Sequence, residues 1–226
     1  MKPELLTMAI IASQAAFAAD GRKIASPSNE PIQVAFVISE NATMIDFAGP
    51  WEVFQDVMIG DRMPFRLYTV SDSKSPLHIS GGMQVIPDYS FEEAPPPQIV
   101  VVGAQSGKSP KMLDWIRKMT GQSDVVMSVC TGAYRLAQAG VLKGKKATTH
   151  HDFHDDFQKK FPDVSLQRGA RFVQSDRGIF TAGGLTSGID LALHIVELYF
   201  GRDVAAKTAA YLEYEGKGWS EWCPPL

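Results

Sequence analysis

Cysteine is nearly missing from this chain: its 226 residues hold two, Cys130 and Cys223. Two are too few for a disulfide framework, so an apolar core has to hold the fold. A Cys130–Cys223 bridge is not expected either, because it would silence the one thiol that stands in a reactive setting. A surplus of charge is also missing. With 22 Lys and Arg against 25 Asp and Glu, the net charge is −3, which gives no electrostatic footprint for nucleic acid or an anionic membrane. There is no internal repeat, no coiled-coil heptad and no HExxH metal motif. What is present is an ordinary composition, 45% hydrophobic, at a length that suits one α/β domain with a substantial core.

The first residues differ from the rest. Lys2 opens a short basic region, Leu5 to Ala16 is apolar or small, and Ala16-Phe17-Ala18 has the small-x-small form of a signal-peptidase site. The stretch is too short to span a bilayer. Asp20 to Pro31 is polar and proline-bearing, as in a linker. Residues 1–31 are therefore read as a signal peptide and linker, and residues 32–226 as the domain. Cleavage would place the protein in the periplasm or outside the cell; an uncleaved chain would stay cytoplasmic.

From Ile32 onward, apolar strand runs alternate with helical patterns, the signature of a mostly parallel sheet covered on both faces. Strands are expected at Val34–Ile38, Phe65–Val70, Met83–Ile86, Ile99–Val102 and Val125–Val129, with a hairpin of Arg171–Gln174 and Ile179–Ala182. A helix is expected to start at Gly49-Pro50, where a proline in the first turn loses no hydrogen bond. Another starts after Ser109, with Met112, Leu113, Ile116 and Met119 on one face. His151–Lys160 carries Phe153, Phe157 and Phe161 at helical spacing. Ser187-Gly-Ile-Asp190 has the form of a capping box ahead of a strongly apolar helix to Phe200, and a last helix follows from Val204 to about Tyr214.

The chemistry concentrates at Cys130. An apolar strand ends there, and Thr131-Gly132-Ala133 opens a helix with almost no spacer. So sharp a strand-to-helix turn pushes the intervening side chain out over the carboxyl edge of the sheet, as in a nucleophile elbow, where ligands of parallel α/β sheets bind. The helix N-terminus supplies free N–H groups and the positive end of its dipole, which favour thiolate over thiol. His150 follows the short Ala147-Thr-Thr run and is placed within reach of the rim. His150, His151 and His154 with Asp152, Asp155 and Asp156 are metal-ligand types, but the phenylalanine stripe already explains that helix, and no metal is expected. Nothing in the sequence calls for a cofactor.

The blocks Met44-Ile-Asp46-Phe-Ala-Gly-Pro50-Trp-Glu-Val-Phe54, Ser128-Val-Cys130-Thr-Gly-Ala-Tyr-Arg-Leu-Ala-Gln-Ala-Gly140, Ala147-Thr-Thr-His150 and Thr181-Ala-Gly-Gly-Leu-Thr-Ser-Gly-Ile-Asp190 resemble the ThiJ/PfpI superfamily. Its fold is the class I glutamine amidotransferase-like α/β sandwich, three layers about a mostly parallel sheet. Within it the chain is most similar to isonitrile hydratases and to the ligand-binding halves of AraC-type regulators. The resemblance implies that Cys130 is the nucleophile and that Asp46, which the residues alone would leave as a solvated loop carboxylate, is the general acid/base beside it. It also implies that Gly103 and Ala104, in a turn facing the thiol, together with Thr131 and Thr186, form the substrate- and oxyanion-binding wall. Where the family commonly shows Pro-Gly-Gly this chain has Gly103-Ala104-Gln105, a departure that bears on pocket shape.

The activity so implied is cysteine-dependent hydration of an isonitrile to an N-formamide, by a protein that is commonly a homodimer. The alternative is a small-molecule binder or thiol redox sensor without catalysis. A peptidase or amidase is less favoured, because Thr131 stands where proteolytic members carry His. A DNA-bound regulator is not expected from a chain with near-balanced charge and only a short tail after its last helix. Export would sit poorly with a hydratase, whose expected place is the cytoplasm.

Overall fold

A computed structural model of the protein describes Ile24 and residues 30–221. The candidate signal peptide, most of the linker and Cys223 lie outside those residues. In chain order the elements are β1 (Ile32–Val37), α1 (Met44–Gln55), β2 (Phe65–Ser71), β3 (Leu77–His78), β4 (Gln84–Val85), β5 (Tyr89–Ser90), β6 (Ile99–Val102), α2 (Pro110–Thr120), β7 (Val125–Ser128), α3 (Ala133–Gln138), β8 (Lys146–Ala147), α4 (His154–Lys160), β9 (Ser165–Leu166), β10 (Phe172–Asp176), β11 (Ile179–Ala182), α5 (Ser187–Phe200) and α6 (Arg202–Tyr211).

Seven strands form the central sheet in the order β10-β11-β7-β6-β1-β2-β5. Every pairing in it is parallel except β10 with β11, the hairpin around Asp176-Arg177-Gly178. Strand alternation sends Ile32, Val34 and Phe36 of β1 to one face, under Val53 and Phe54 of α1 and the apolar side of α5. Ala35 and Val37 go to the other, under Met112, Trp115, Ile116 and Met119 of α2, Leu136 of α3 and Phe157 of α4. Helices on both sheet faces make the three-layer α/β sandwich that the strand and helix patterns implied. Burying each of those large side chains contributes about 1.5–3 kcal/mol, so the two cores supply what disulfides do not.

Several local expectations shift. The helix after β1 starts at Met44, not at Gly49, and Pro50 lies inside it. Pro50 has no N–H to offer the carbonyl four residues back, which belongs to Asp46. Ser109 does cap α2, accepting a hydrogen bond from the Met112 N–H at 3.1 Å. The capping box at Ser187 does not form: Thr186 occupies the cap position, and its side chain makes no capping hydrogen bond. Asp190 instead turns to the chain's end, accepting hydrogen bonds from Arg171 Nε at 2.5 Å, the Tyr214 hydroxyl at 3.0 Å and the Trp219 N–H at 3.0 Å. The segment expected as a strand at Met83–Ile86 pairs only as β4 with β3, outside the main sheet. Phe153 leaves the phenylalanine stripe and is 44% exposed, whereas Phe157 is fully buried.

Candidate functional site

The carboxyl ends of the neighbouring strands β6, β7 and β11 meet at Cys130. The turn out of β7 is tight enough to hold Cys130 at φ 58°, a left-handed conformation that an L residue adopts only when its surroundings impose it. Those surroundings are visible. The Cys130 N–H donates to Gly183 O at 2.8 Å, and the Cys130 carbonyl accepts from the Thr149 hydroxyl at 2.9 Å. Gly132 presses against the end of β6, where a Cβ would collide with the Val102 carbonyl. The elbow expected from sequence is thus held at both of its backbone polar groups.

Asp46 does not lie in a solvated loop. It sits in the first turn of α1 with no exposed surface. Gly103 allows it there, because a Cβ at that position would stand 2.8 Å from the Asp46 Cβ. One carboxylate oxygen, Oδ2, accepts the Ala104 N–H at 2.9 Å. The other, Oδ1, is buried and, among the described residues, has no hydrogen-bond partner of ordinary geometry, while the carboxyl as a whole interacts with the Cys130 thiol. Burial lifts the Asp46 carboxyl to about 6, opposed in part by the Ala104 N–H and the thiol. Burial also pushes the Cys130 thiol up to about 11, reinforced by the charge of Asp46. The helix-terminus expectation of a readily ionised thiol is corrected here: N–H groups of Thr131 and Leu185 do favour the thiolate, but desolvation and a neighbouring carboxylate outweigh them. At neutral pH the pair is therefore a thiol beside an ionised carboxylate.

The other expected residues separate into two groups. Gly103, Ala104 and Thr131 surround the pair, but the Ala104 N–H is committed to the Asp46 carboxylate and so is not free for a bound molecule. Leu185 takes that place beside Thr131. Sequence reasoning passed over it, although Gly183-Gly184 directly after an apolar strand signals a tight turn aimed at the elbow. Thr186 is exposed, and its hydroxyl accepts from Arg171 Nη2 at 3.0 Å. The His150 ring lies against Gly184, stacks on His151 with centroids 4.5 Å apart and accepts the Asp152 N–H through Nδ1 at 3.2 Å. It borders the site without joining the Cys130–Asp46 pair. His154 turns inward, donating through Nε2 to the Thr149 carbonyl at 3.1 Å, so it does not pair with His150 as an i,i+4 ligand set. The side chains of His150, His151 and Asp152 offer donor atoms within 4.8 Å of one another at the surface. Arg135, likewise unforeseen, ties α3 to the loop that holds Asp46, donating through Nη2 to the Gln105 carbonyl at 2.6 Å.

A family model described as the DJ-1/PfpI family matches residues 32–198. Isonitrile hydratase of Pseudomonas putida is 32% identical over 188 residues, covering 81% of this chain and 78% of the hydratase. The HTH-type transcriptional regulator GbdR of Pseudomonas aeruginosa is 28% identical over 195 residues, which is 84% of this chain; the chain spans about half the regulator's length, 53%. Among solved structures, a ThiJ/PfpI family protein from Pseudomonas syringae superposes with a TM-score of 0.69 at 26% identity, over 87% of this chain and 78% of that one. The match over most of the folded region, with the same sandwich and sheet, means that the chain belongs to the DJ-1/PfpI family.

Proposed function

We propose that the protein is a cysteine-dependent hydratase of the isonitrile hydratase kind, with Cys130 as nucleophile and Asp46 as general acid/base. The observation that carries this reading is the buried Asp46 carboxyl facing the thiol, lifted to about 6 and aimed by the Ala104 N–H. A carboxyl near that value exchanges protons in both directions at neutral pH, which acid–base catalysis needs. The Pseudomonas putida relative supports the choice of substrate class.

In this mechanism Asp46 takes the thiol proton while the sulfur bonds to the terminal carbon of R–N≡C. The same proton passes to that carbon, giving the thioimidate R–N=CH–S–Cys130. Asp46, again a carboxylate, draws a proton from water as the oxygen adds to carbon, and that proton reaches the nitrogen. Loss of the C–S bond, with the hydroxyl proton returning to sulfur, releases R–NH–CHO and the free thiol. The N–H groups of Thr131 and Leu185 stabilise negative charge on the sulfur as it attacks and leaves. A homodimer goes with this reading, and sedimentation would test it.

The competing reading is a non-catalytic small-molecule binder or thiol sensor. The specific observation in favour of a binder is the thiol itself, pushed up to about 11 and so scarcely ionised at rest, which also counts against a redox sensor, since oxidation proceeds through the thiolate. A peptidase has less support, since Thr131 follows Cys130 and His150 is turned to Gly184 and Asp152. Turnover decides between the readings: p-nitrophenyl isocyanide should be consumed, with the N-formamide identified by mass. Cys130→Ser should abolish turnover, because a serine hydroxyl beside a carboxylate lacks a base strong enough to activate it. No consumption by wild-type protein whose Cys130 alkylates normally would favour the binder.

A further inference from the structure

Leu185 is in a place where leucine is a poor choice. Its φ is 54°, a region that penalises any Cβ and that bulky residues avoid, whereas glycine enters it freely. The two residues before it are glycines, so glycine is within this loop's local repertoire. Core packing does not explain the side chain either. It is 42% exposed and joins none of the three apolar clusters formed by the described residues. Its backbone N–H, however, interacts with the Cys130 sulfur, which fixes the residue next to the thiol. The adjoining Gly184 lies against the His150 ring, and Phe153, 44% exposed, meets that ring edge-on with centroids 5.8 Å apart. The leucine next to the thiol is thus continued, through Gly184, by the imidazole and the phenyl ring as largely apolar, partly exposed surface. Strain kept at such a site, for a side chain the core does not use, marks a functional contact.

We infer that Leu185 is a specificity-determining residue, whose side chain selects a hydrophobic substituent on the molecule presented to Cys130. The inference rests on Cys130 as the attacking group and deepens the proposed hydration by naming the substrate class: isonitriles with an aryl or branched alkyl group rather than small or polar ones. The backbone N–H of residue 185 holds the sulfur whatever the side chain, so the side chain is free to set preference.

The test uses Leu185→Gly and Leu185→Asn in the full-length chain carrying Cys223→Ser, so that Cys130 is the only thiol. N-phenylmaleimide and N-methylmaleimide label it in parallel, each rate divided by the rate of the same reagent with glutathione. The parent should favour the phenyl reagent, and both variants should lose at least about fivefold of that preference, as removal of an apolar contact of a few carbons does. Thermal midpoints should stay within about 5 °C of the parent, because glycine and asparagine relieve the left-handed backbone. In the hydration assay, kcat/KM for phenyl isocyanide should fall about tenfold relative to kcat/KM for methyl isocyanide. A labelling preference that persists in both variants overturns the inference. So does a large fall in both midpoints, which would make Leu185 structural. A preference that depends on Leu185 in a protein that consumes no isonitrile leaves the inference standing and removes the hydratase.

Discussion

Replacing Asp46 by Asn should make the protein more stable and less active at neutral pH. The carboxyl has no exposed surface, and burial lifts it from 3.8 to about 6. A folded-state value above the unfolded one means that the folded chain holds the proton more tightly. Below about pH 4 both states are protonated and the residue has little effect on stability. As pH rises through about 6 the folded chain is forced to carry a buried charge, and stability is lost over that window and stays lost above it. The shift, 6 − 3.8, is about 2 units, and at about 1.4 kcal/mol each the full penalty is at most about 3 kcal/mol. Asparagine keeps an oxygen for the Ala104 N–H and carries no charge. Its advantage over wild type should grow from about 1.5 kcal/mol at pH 5 to about 3 kcal/mol at pH 7.5, read by urea unfolding of both proteins at each pH. Turnover should meanwhile fall at least ~100-fold. A variant less stable than wild type at pH 7.5, or an advantage that does not vary with pH, would refute the account of Asp46 as a buried, strained charge. Equal turnover would remove it from the mechanism.

The pH profile of kcat/KM should show an acid limb near 6, with activity present above it and lost below as Asp46 becomes protonated; a profile flat down to pH 5 would rule out Asp46 as the base. Asp190→Ala leaves the Arg171 guanidinium, the Tyr214 hydroxyl and the Trp219 N–H without their shared acceptor. Because the guanidinium left behind is 41% exposed, the cost is that of the lost hydrogen bonds, about 1–3 kcal/mol, so the thermal midpoint should drop by roughly 5 °C, and a drop of under 2 °C would show that the network does not hold the C-terminal segment. Expression in a bacterium with an intact export pathway should yield a periplasmic protein beginning at Ala19, by mass spectrometry; an intact Met1 there, or no periplasmic protein, would overturn the signal-peptide reading.

How far the sequence reached depended on the range of the interaction involved. The alternation of apolar runs with helical spacing, the Ser109 cap and the Gly178 hairpin are set by residues a few positions apart, and they define the three-layer sandwich without tertiary information. The elbow belongs with them, because Val125–Val129, Cys130 and Gly132 are contiguous, and so does the family, because its motifs are local words. The long-range partnerships had to wait for the folded chain. Asp46 changes from a solvated carboxylate to a buried one because Gly103, some 57 positions away, leaves room for it and Ala104 donates to it. That same contact withdraws the Ala104 N–H from the thiol. The ionisation of Cys130 followed the same rule: the helix terminus that favours thiolate is legible in three residues, whereas the burial and the facing carboxylate that overrule it exist only once β1, β6, β7 and β11 are brought together. Asp190 has a capping-box spacing in the sequence and a different task in the fold, because Tyr214 and Trp219 return across α5 to claim both of its oxygens. Local sequence determines which elements form and where the thiol is displayed; desolvation and distant hydrogen bonds determine what protonation state it keeps there.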